Sequence, residues 1–557
     1  MGHGDAAVTT TAPSRRIAWT GRMGPILAVG VPLVFLTVVF LYPLWSILFA
    51  GLSGDGGPLA AFGEVFEKPS LRGVAWFTVW QAIVSTGLTL IVAMPAAYVF
   101  ARYDFPGRSL LRAAITIPFV LPTLVVGSAF LALLGPNGAF GVDLSSTIWA
   151  ILIAHVFYNY AVVVRTVGGL WAHLDLRLEE AARMLGASRW RAFRTVTLPL
   201  LRPAIAAAAS IIFLFTFTSF GVILVLGNLE FRTIEVEIWR QTMSFLNLPV
   251  AAALSVLQLV GVSMILLGYS RYQERRSIEQ RLAPAAATAR KPQTPGEWWT
   301  IGGILSFTAV FLGTPLVMLV ERSLRVGGEW SLAAYTSLGE TSDSPLFVPA
   351  TEAIANSVGF AVAAMAIALV VGILAATVVA YRRGSVSRWF DLLLMLPLGT
   401  SAVTIGFGFL VAFDSPIDLR TSPMLIPLAH SLIAIPFVVR TVVPVMRSIR
   451  RRLREAARVL GASPFRAWRE IDVPLIARSA LVAAGFAFAI SLGEFGATAF
   501  LVRPERPTLP IAIFRMLGRP GELNFGRAMA LSTILMVLTA ASIMLIERFR
   551  LGEAGEF

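Results

Sequence analysis

Long apolar stretches alternate with short polar segments along the whole chain. Each stretch has about 20 or more residues with few charges, the length that a helix needs to cross the hydrocarbon core of a bilayer. This pattern predicts an all-α, polytopic membrane protein of about twelve transmembrane helices, six in each half of the 557 residues. The predicted spans are 24–49, 77–101, 111–134, 147–168, 203–227, 248–268, 300–321, 354–381, 389–413, 422–444, 477–502 and 526–546.

Composition supports a membrane protein and excludes a soluble one. Hydrophobic residues make up 56% of the chain and charged residues only 14%, whereas a soluble domain has about 25% charged residues. The net charge of +14 would suit a nucleic-acid partner, but the arginines cluster at one set of span ends. That distribution follows the positive-inside rule and predicts cytoplasmic N- and C-termini, with the outer loop 503–525 as a departure. We therefore expect a lipid bilayer and no nucleic acid around this chain.

The chain divides into two similar halves joined by a polar segment. An even number of spans in each half gives both halves the same orientation, which is a parallel repeat. Segment 270–298 is charged and rich in Ala and Pro, and we interpret it as a cytoplasmic linker. The predicted divisions are an N-terminal tail 1–23, a first repeat 24–269, the linker 270–298, a second repeat 299–550 and a C-terminal tail 551–557.

One polar loop occurs in both halves, 275 residues apart, with the pattern Glu-Ala-Ala-Arg-x-Leu-Gly-Ala-Ser. Lipid-facing helices need only be apolar, so a repeated charged sequence indicates a docking element. The residues that define it are Glu180, Ala181, Ala182, Gly186 and Ala187 in the first copy and Glu455, Ala456, Ala457, Gly461 and Ala462 in the second.

We predict that each loop is two short helices with a bend at its glycine. Gly186 and Gly461 can adopt the positive φ that ends a helix, and the serine two residues later can cap the next helix. That next helix has an apolar edge flanked by arginines, so it can rest on lipid headgroups or bind a groove on another protein. Pro199 and Pro474 are expected to mark the turn into the following span.

The two loops resemble the coupling-helix motif of permease subunits of ATP-binding-cassette importers. The resemblance implies the type I importer permease fold, with both halves of the pore fused in one chain in the inner membrane of a prokaryote. It also implies two copies of a cytoplasmic ATPase docked on the loops and an extracytoplasmic substrate-binding protein. Fused permeases of this kind resemble thiamine and ferric-ion importers, whereas the segment Leu492–Thr498 resembles sulfate and molybdate permeases. Thiamine or ferric iron is thus the expected cargo, and sulfate or molybdate the alternative.

No catalytic site is predicted in this chain. It has no cysteine, and its two lysines, Lys68 and Lys291, each precede a proline rather than Ser or Thr, so no Walker A loop is present. If transport consumes ATP, a partner must bind ATP and magnesium, and we expect no cofactor or metal here. A secondary transporter with parallel repeats would explain the duplication but not the paired loops. A membrane scaffold or receptor subunit without transport is a third class.

A second group of residues lies in the predicted fifth span of each half. Glu494 is an acidic residue at bilayer depth, where a carboxylate costs about 3 kcal/mol or more unless it has a partner or faces water. It is either a translocation-path residue or a structural carboxylate. Its matched residue is Ser219, and the further path candidates are Thr218, Phe220 and Phe495.

His155 and His430 occupy matched positions within two spans. A metal site would need further ligands nearby, and none stands at ligand spacing. We therefore expect buried histidines with hydrogen-bond partners. Phe213, Phe215, Phe217 and Phe220 could contact a cationic ring along a path, but we expect each of them to pack against helices or lipid.

Overall fold

A computed structural model describes most of the chain. It covers residues 23–53, 57, 59–136, 138, 141, 143–175, 177–276, 289–341, 345–382, 384–414 and 418–551. Most of both predicted tails and the middle of the predicted linker lie outside these residues. The linker that we predicted at 270–298 is entered by helices from both ends, to Arg276 and from Pro295.

The described residues are almost entirely helical. The α-helices are α1 Met23–Leu36, α2 Tyr42–Leu52, α3 Ala60–Glu67, α4 Pro69–Arg102, α5 Arg108–Val120, α6 Thr123–Leu134, α7 Ile148–Trp171, α8 Arg177–Met184, α9 Arg189–Ala192, α10 Leu198–Phe217, α11 Gly221–Leu226, α12 Ile234–Met243, α13 Leu248–Arg276, α14 Pro295–Ser323, α15 Ala333–Thr336, α16 Ala350–Tyr381, α17 Ser385–Met395, α18 Ala402–Ala412, α19 Leu425–Ser448, α20 Arg451–Val459, α21 Pro464–Ala467, α22 Val473–Gly493, α23 Thr498–Leu501, α24 Leu509–Leu517 and α25 Glu522–Leu551. Three π-helical turns, Thr37–Leu41, Phe193–Thr197 and Trp468–Asp472, and two 3₁₀ turns, Ser337–Gly339 and Leu396–Gly399, adjoin them. One antiparallel hairpin pairs β1 Arg325–Val326 with β2 Glu329–Trp330.

Within the described residues, ten helical segments are long and apolar enough to cross a membrane. Two further pairs of helices, α5 with α6 and the segment of α17 with α18, pass the same test together but are bent by 98° at a short break. The sequence predicted each of these pairs as one continuous span. Hydropathy counts apolar residues and carries no information on direction, so it does not reveal the break.

Helix direction shows that each bent pair crosses the bilayer once. The ends of α4 and α7 meet where Arg102 Nη1 donates to the carbonyl of Leu174 at 3.3 Å, so these two helices run in parallel. The ends of α16 and α19 meet in the same way, where Arg447 Nη2 donates to the carbonyl of Val379 at 3.1 Å. The chain between two parallel helices must return to the opposite side, and that chain contains the bent pair. The described residues thus make twelve crossings, as the sequence predicted.

Both repeated loops and the linker lie on the same side of the molecule. The first loop follows α7 and the second follows α19, at the ends just described. The linker returns to this side because Arg290 N donates to the carbonyl of Arg102 at 3.0 Å, and its guanidinium lies 5.1 Å from the ring centre of Tyr103. The Arg102 end of α4 therefore lies on the loop side, and its Pro69 end lies on the opposite side.

The first span of each half packs on the other half. In the first half, the hydroxyl of Tyr42 on α2 donates to the carbonyl of Ala412 on α18 at 3.0 Å. In the second half, Thr308 on α14 is hydrogen-bonded to Tyr160 on α7 at 2.9 Å. Since each half supplies a helix to its neighbour, the two repeats form one intertwined body.

The fifth span of each half differs from its prediction. We predicted 203–227 and 477–502, but the continuous apolar helices are Arg189–Phe217 and Phe465–Gly493, which begin earlier and end earlier. The turn expected at Pro199 and Pro474 is absent. Each proline lies inside the continuous helix, directly after a π-helical turn that changes the backbone hydrogen-bond pattern there. The apolar residues beyond each helix form the short helices α11 and α23 instead.

Helices α16 and α19 approach each other closely at Gly372. A Cβ at Gly372 would lie 2.9 Å from the Cβ of Val438, whereas a Cβ at Gly359 on the same helix would meet nothing within 4 Å. We predict that Gly372→Val destabilises the protein by about 1–3 kcal/mol through overpacking. The thermal unfolding midpoint of the purified protein in detergent should fall for Gly372→Val and stay near wild type for Gly359→Val. Equal midpoints for the two variants would contradict this close packing.

Candidate functional site

The two repeated loops have the same local structure. Gly186 has φ +87° and Gly461 has φ +83°, and each ends a short helix, α8 or α20. The hydroxyl oxygen of Ser188 accepts from the N–H of Arg191 at 3.3 Å, and that of Ser463 accepts from Arg466 at 3.2 Å. The predicted pair of short helices with a bend at glycine is therefore confirmed in both copies.

The tip of each loop projects away from the protein. Leu185 is 89% exposed and the matched Leu460 is 86% exposed. Glu180 and Ala181 are exposed, as are Glu455 and Ala456, while Ala182, Ala187, Ala457 and Ala462 are half-buried in both copies. Exposed leucines at the same place in two loops make a pair of equivalent apolar contact surfaces.

A matched pair of side chains fixes each loop to the helix that follows it. In the first loop, Thr197 Oγ1 donates to the carboxylate of Glu179 at 3.0 Å. The matched positions in the second loop are Arg454 and Asp472, which form an ion pair with Arg454 Nε 2.8 Å from Asp472 Oδ1. Burial lowers the pKa of Arg454, but its hydrogen bonds and charge interactions with Asp472 and Tyr381 together outweigh this effect, and the pKa is raised above its ordinary value. The matched positions are thus joined by a hydroxyl–carboxylate hydrogen bond in one loop and by an ion pair in the other.

One helix connects each loop to the centre of the protein. The first runs from Arg189 through the π-helical turn at 193–197 and along α10 to Phe217, and the second runs from Phe465 to Gly493; each is 29 residues long. The two π-helical turns occupy matched positions, and single π-turns inside helices are frequent at functional sites. Each loop is therefore joined to the far end of its helix without a break in the helix.

Both helices end in a break that packs against a broken span. In the first half the break is at 218–220, and a Cβ on Gly221 would lie 3.1 Å from the Cβ of Thr123 at the start of α6. In the second half the break is at 494–497, and a Cβ on Gly496 would lie 3.0 Å from the Cβ of Ala402 at the start of α18. The glycines allow the two breaks of each half to come together.

Matched aromatic residues meet at these breaks. The rings of Phe220 and Phe495 stack with their centres 5.2 Å apart and an angle of 19° between planes. Trp239 and Phe514 also occupy matched positions, and their rings are 5.8 Å apart. A residue and its repeat counterpart can touch only near the axis that relates the two halves. We name these four side chains the axial aromatic cluster.

The cluster lies toward the side away from the loops. Gln81 on α4 donates to the carbonyl of Thr216 at 2.7 Å, next to the first break. Gln81 is 102 − 81 = 21 residues from the loop-side end of α4, a distance of about 30 Å along the helix. The cluster is thus separated from the loops by about one bilayer core.

The residues before the stacked phenylalanines bind the two matched histidines. Ser219 Oγ is hydrogen-bonded to His155 Nε2 at 2.9 Å, and Glu494 Oε2 lies 3.3 Å from His430 Nε2. The carboxylate of Glu494 also accepts from the N–H groups of Ala497 and Thr498 at 3.1 and 3.2 Å. Both histidines are buried with hydrogen-bond partners, as predicted.

The structure brings together only part of the predicted path. Phe220 and Phe495 meet, and Ser219 and Glu494 flank them, but the Thr218 hydroxyl donates to the carbonyl of Leu214 on its own helix. Phe213 packs on Phe217, and Phe215 packs on Phe119, as the packing prediction required. Trp239 and Phe514 were missed. The sequence could have indicated them, because both positions are aromatic and lie 275 residues apart. Each also directly precedes one of the matched arginines, Arg240 and Arg515.

Comparison with known proteins gives two matches to one family. The family model described as "Binding-protein-dependent transport system inner membrane component" matches residues 89–277 and again residues 346–549. The two matches lie in the two halves and confirm the duplication.

Similar proteins include both full-length and half-length relatives. The chain is 26% identical to "Probable ABC transporter permease protein y4fN" of Sinorhizobium fredii, over 96% of this chain and 97% of the relative. It is 28% identical to "Thiamine transport system permease protein ThiP" of Brucella suis, over 97% and 98%. It is 31% identical to "Sulfate transport system permease protein CysT" of Escherichia coli, over 45% of this chain and 93% of the relative. Two family matches in a single intertwined, twelve-crossing body show that this protein is a fused, two-repeat member of the binding-protein-dependent transport system inner membrane component family.

Proposed function

We propose that this chain forms the complete translocation pore of an ATP-driven importer. The observation that supports it best is the unbroken helix that connects each exposed loop to the axial aromatic cluster. When the loops move, each of the two helices would move one ring of the Phe220–Phe495 stack. We name this stack the gate.

In this proposal the loops are the docking sites of two copies of a cytoplasmic ATPase. The exposed Glu180 and Glu455 and the leucines at the loop tips would enter clefts on those subunits. The loop side is the cytoplasm, in accordance with the arginines around both loops and the linker. ATP and magnesium would be bound by the partner, and the work of ATP binding would reach this chain as a tilt of α10 and α22.

The loops could open the gate from a distance because the gate is a single aromatic pair. Aromatic pairs contribute about 0.5–1.5 kcal/mol beyond the area that they bury, so separating one pair requires little work. In the closed arrangement both rings are buried on the axis, where a substrate would pass between the halves. A binding protein would deliver its ligand on the side opposite the loops, where α12 and α24 bring Trp239 and Phe514 to the axis.

Thiamine is the cargo that we propose first. A thiamine permease is among the relatives similar over nearly the full length, whereas the sulfate permease matches 45% of the chain. Aromatic faces along the axis could also contact a cationic ring through cation–π attraction. Ferric iron is the other expected cargo, and sulfate or molybdate the alternative that the half-length relative favours.

Cross-linking of the gate should stop transport. The chain has no cysteine, so Phe220→Cys with Phe495→Cys gives a single reactive pair. We expect a short bifunctional thiol reagent to link the two positions and to abolish ATP-driven uptake in proteoliposomes, because the halves can no longer separate at the axis. Each single cysteine variant is the control and should retain its uptake after the same treatment. Full uptake by the linked protein would show that substrate does not pass this stack.

Charge reversal in the loops should uncouple the ATPase. Glu180→Arg with Glu455→Arg should lower ATP-driven uptake and ATPase capture about tenfold or more, as expected for loss of central interface contacts. Both side chains are exposed, so the thermal unfolding midpoint should not change. Asp104→Arg, at an exposed site on the loop side but outside both repeated loops, is the matched control. Uptake by the double variant at the wild-type rate, or uptake driven by a proton gradient without any ATPase, would contradict the proposal.

Competition should identify the cargo. We expect the complete importer in proteoliposomes to take up labelled thiamine in an ATP-dependent manner, and we expect excess unlabelled thiamine to compete. Ferric iron, sulfate and molybdate are tested in parallel as competitors and as labelled substrates. If one of these were taken up and thiamine were not, that substance would be the cargo. The proposal that this chain forms the pore would still hold.

A further inference from the structure

We propose that His155 and His430 are the positioning residues of the gate, each holding one of its two phenylalanines in place. This inference rests on the gate proposed above. The two histidines occupy matched positions on α7 and α19, and each contacts the residue that directly precedes a gate phenylalanine.

In the first half, His155 connects three elements. Its Nδ1 is hydrogen-bonded to Ser85 Oγ on α4 at 3.0 Å, and its Nε2 to Ser219 Oγ at 2.9 Å, in the break after α10. Its imidazole is buried, so the position of Ser219 is set relative to α4 and α7. Phe220 is the next residue and takes its place from this bond.

In the second half, His430 connects the two sides of the break. Its Nδ1 is hydrogen-bonded to Ser491 Oγ in the last turn of α22 at 2.7 Å. Its Nε2 is hydrogen-bonded to Thr498 Oγ1 at the start of α23 at 2.8 Å and lies 3.3 Å from Glu494 Oε2. Phe495 lies between these two attachments.

The histidine hydrogen bonds matter because the backbone at the two breaks is not helical. Residues 218–220 and 494–497 are outside regular helix, so fewer backbone hydrogen bonds hold the gate phenylalanines than hold a residue in mid-helix. Side-chain bonds replace them. Both nitrogens of each ring are already in use, which leaves neither ring free to bind cargo and is the arrangement expected of a group that orients its neighbours.

The two ring nitrogens have different tasks, and amide variants can separate them. In each histidine the Nε2 contacts the gate break or its far side, and the Nδ1 contacts a helix. A glutamine amide reaches about as far as Nε2, whereas an asparagine amide reaches only about as far as Nδ1. His155→Gln thus retains the bond to Ser219, and His155→Asn retains only the bond to Ser85.

Cross-linking of the gate pair measures the position of the gate in the full chain. With the native histidines, Phe220→Cys and Phe495→Cys should be linked; failure at this step contradicts the gate itself and not the role of the histidines. Adding His155→Ala or His430→Ala should then slow linking about tenfold, the effect of losing one buried hydrogen bond. His155→Gln should restore the rate, and His155→Asn should not.

A second cysteine pair separates positioning from general stability. Tyr160→Cys with Thr308→Cys joins α7 and α14 at a contact between the halves that involves neither break. This pair should be linked at an unchanged rate in every histidine variant. His173→Ala, just beyond the loop-side end of α7, is the matched histidine control and should leave both rates unchanged. Equal slowing of both pairs, or wild-type linking of the gate pair in His155→Asn and His430→Ala, would overturn the assignment.

Discussion

Inside a bilayer every backbone N–H and C=O must find a partner within the protein, because lipid offers none. This constraint governs the centre of the molecule, where four chain breaks interrupt otherwise continuous helices. The breaks are tolerated because they are buried against one another. Gly221 and Gly496 allow the break of each gate helix to contact the break of a bent span, and Gly493 brings the second gate helix against Pro122 of the first half.

The same constraint explains the polar side chains at the centre. Glu494 is a buried carboxylate, and its oxygens accept from two backbone N–H groups and one hydroxyl at the start of α23. It therefore satisfies donors that the break leaves without helical partners. The first half uses a neutral group, since the Thr233 hydroxyl donates to the backbone carbonyl of Ser219 at 2.8 Å.

The sequence was a good guide wherever a pattern has a single structural meaning. Apolar length predicted the number of crossings, the 275-residue repeat predicted the two halves, and glycine with a following serine predicted the bent loops. The sequence did not predict the places where an apolar segment of the chain changes direction, as at the bent spans and at 218–220. Burial, length and composition are alike on both sides of such a break, and only contacts between distant segments decide where it falls. The axial contacts of Trp239 and Phe514 depend on the same long-range packing.

Fusion of the two intertwined halves has a consequence for the residues near the axis. In a pore built from two identical chains, every substitution near the axis would appear twice. Glu494 would then be present twice, directly before each of the two stacked phenylalanines, and the second buried carboxylate would add its own cost of desolvation. In one fused chain, one half can hold an acid where the other holds serine, and one loop an ion pair where the other has a hydroxyl–carboxylate hydrogen bond. Fusion thus lets matched positions of the two repeats differ in the same way in every molecule.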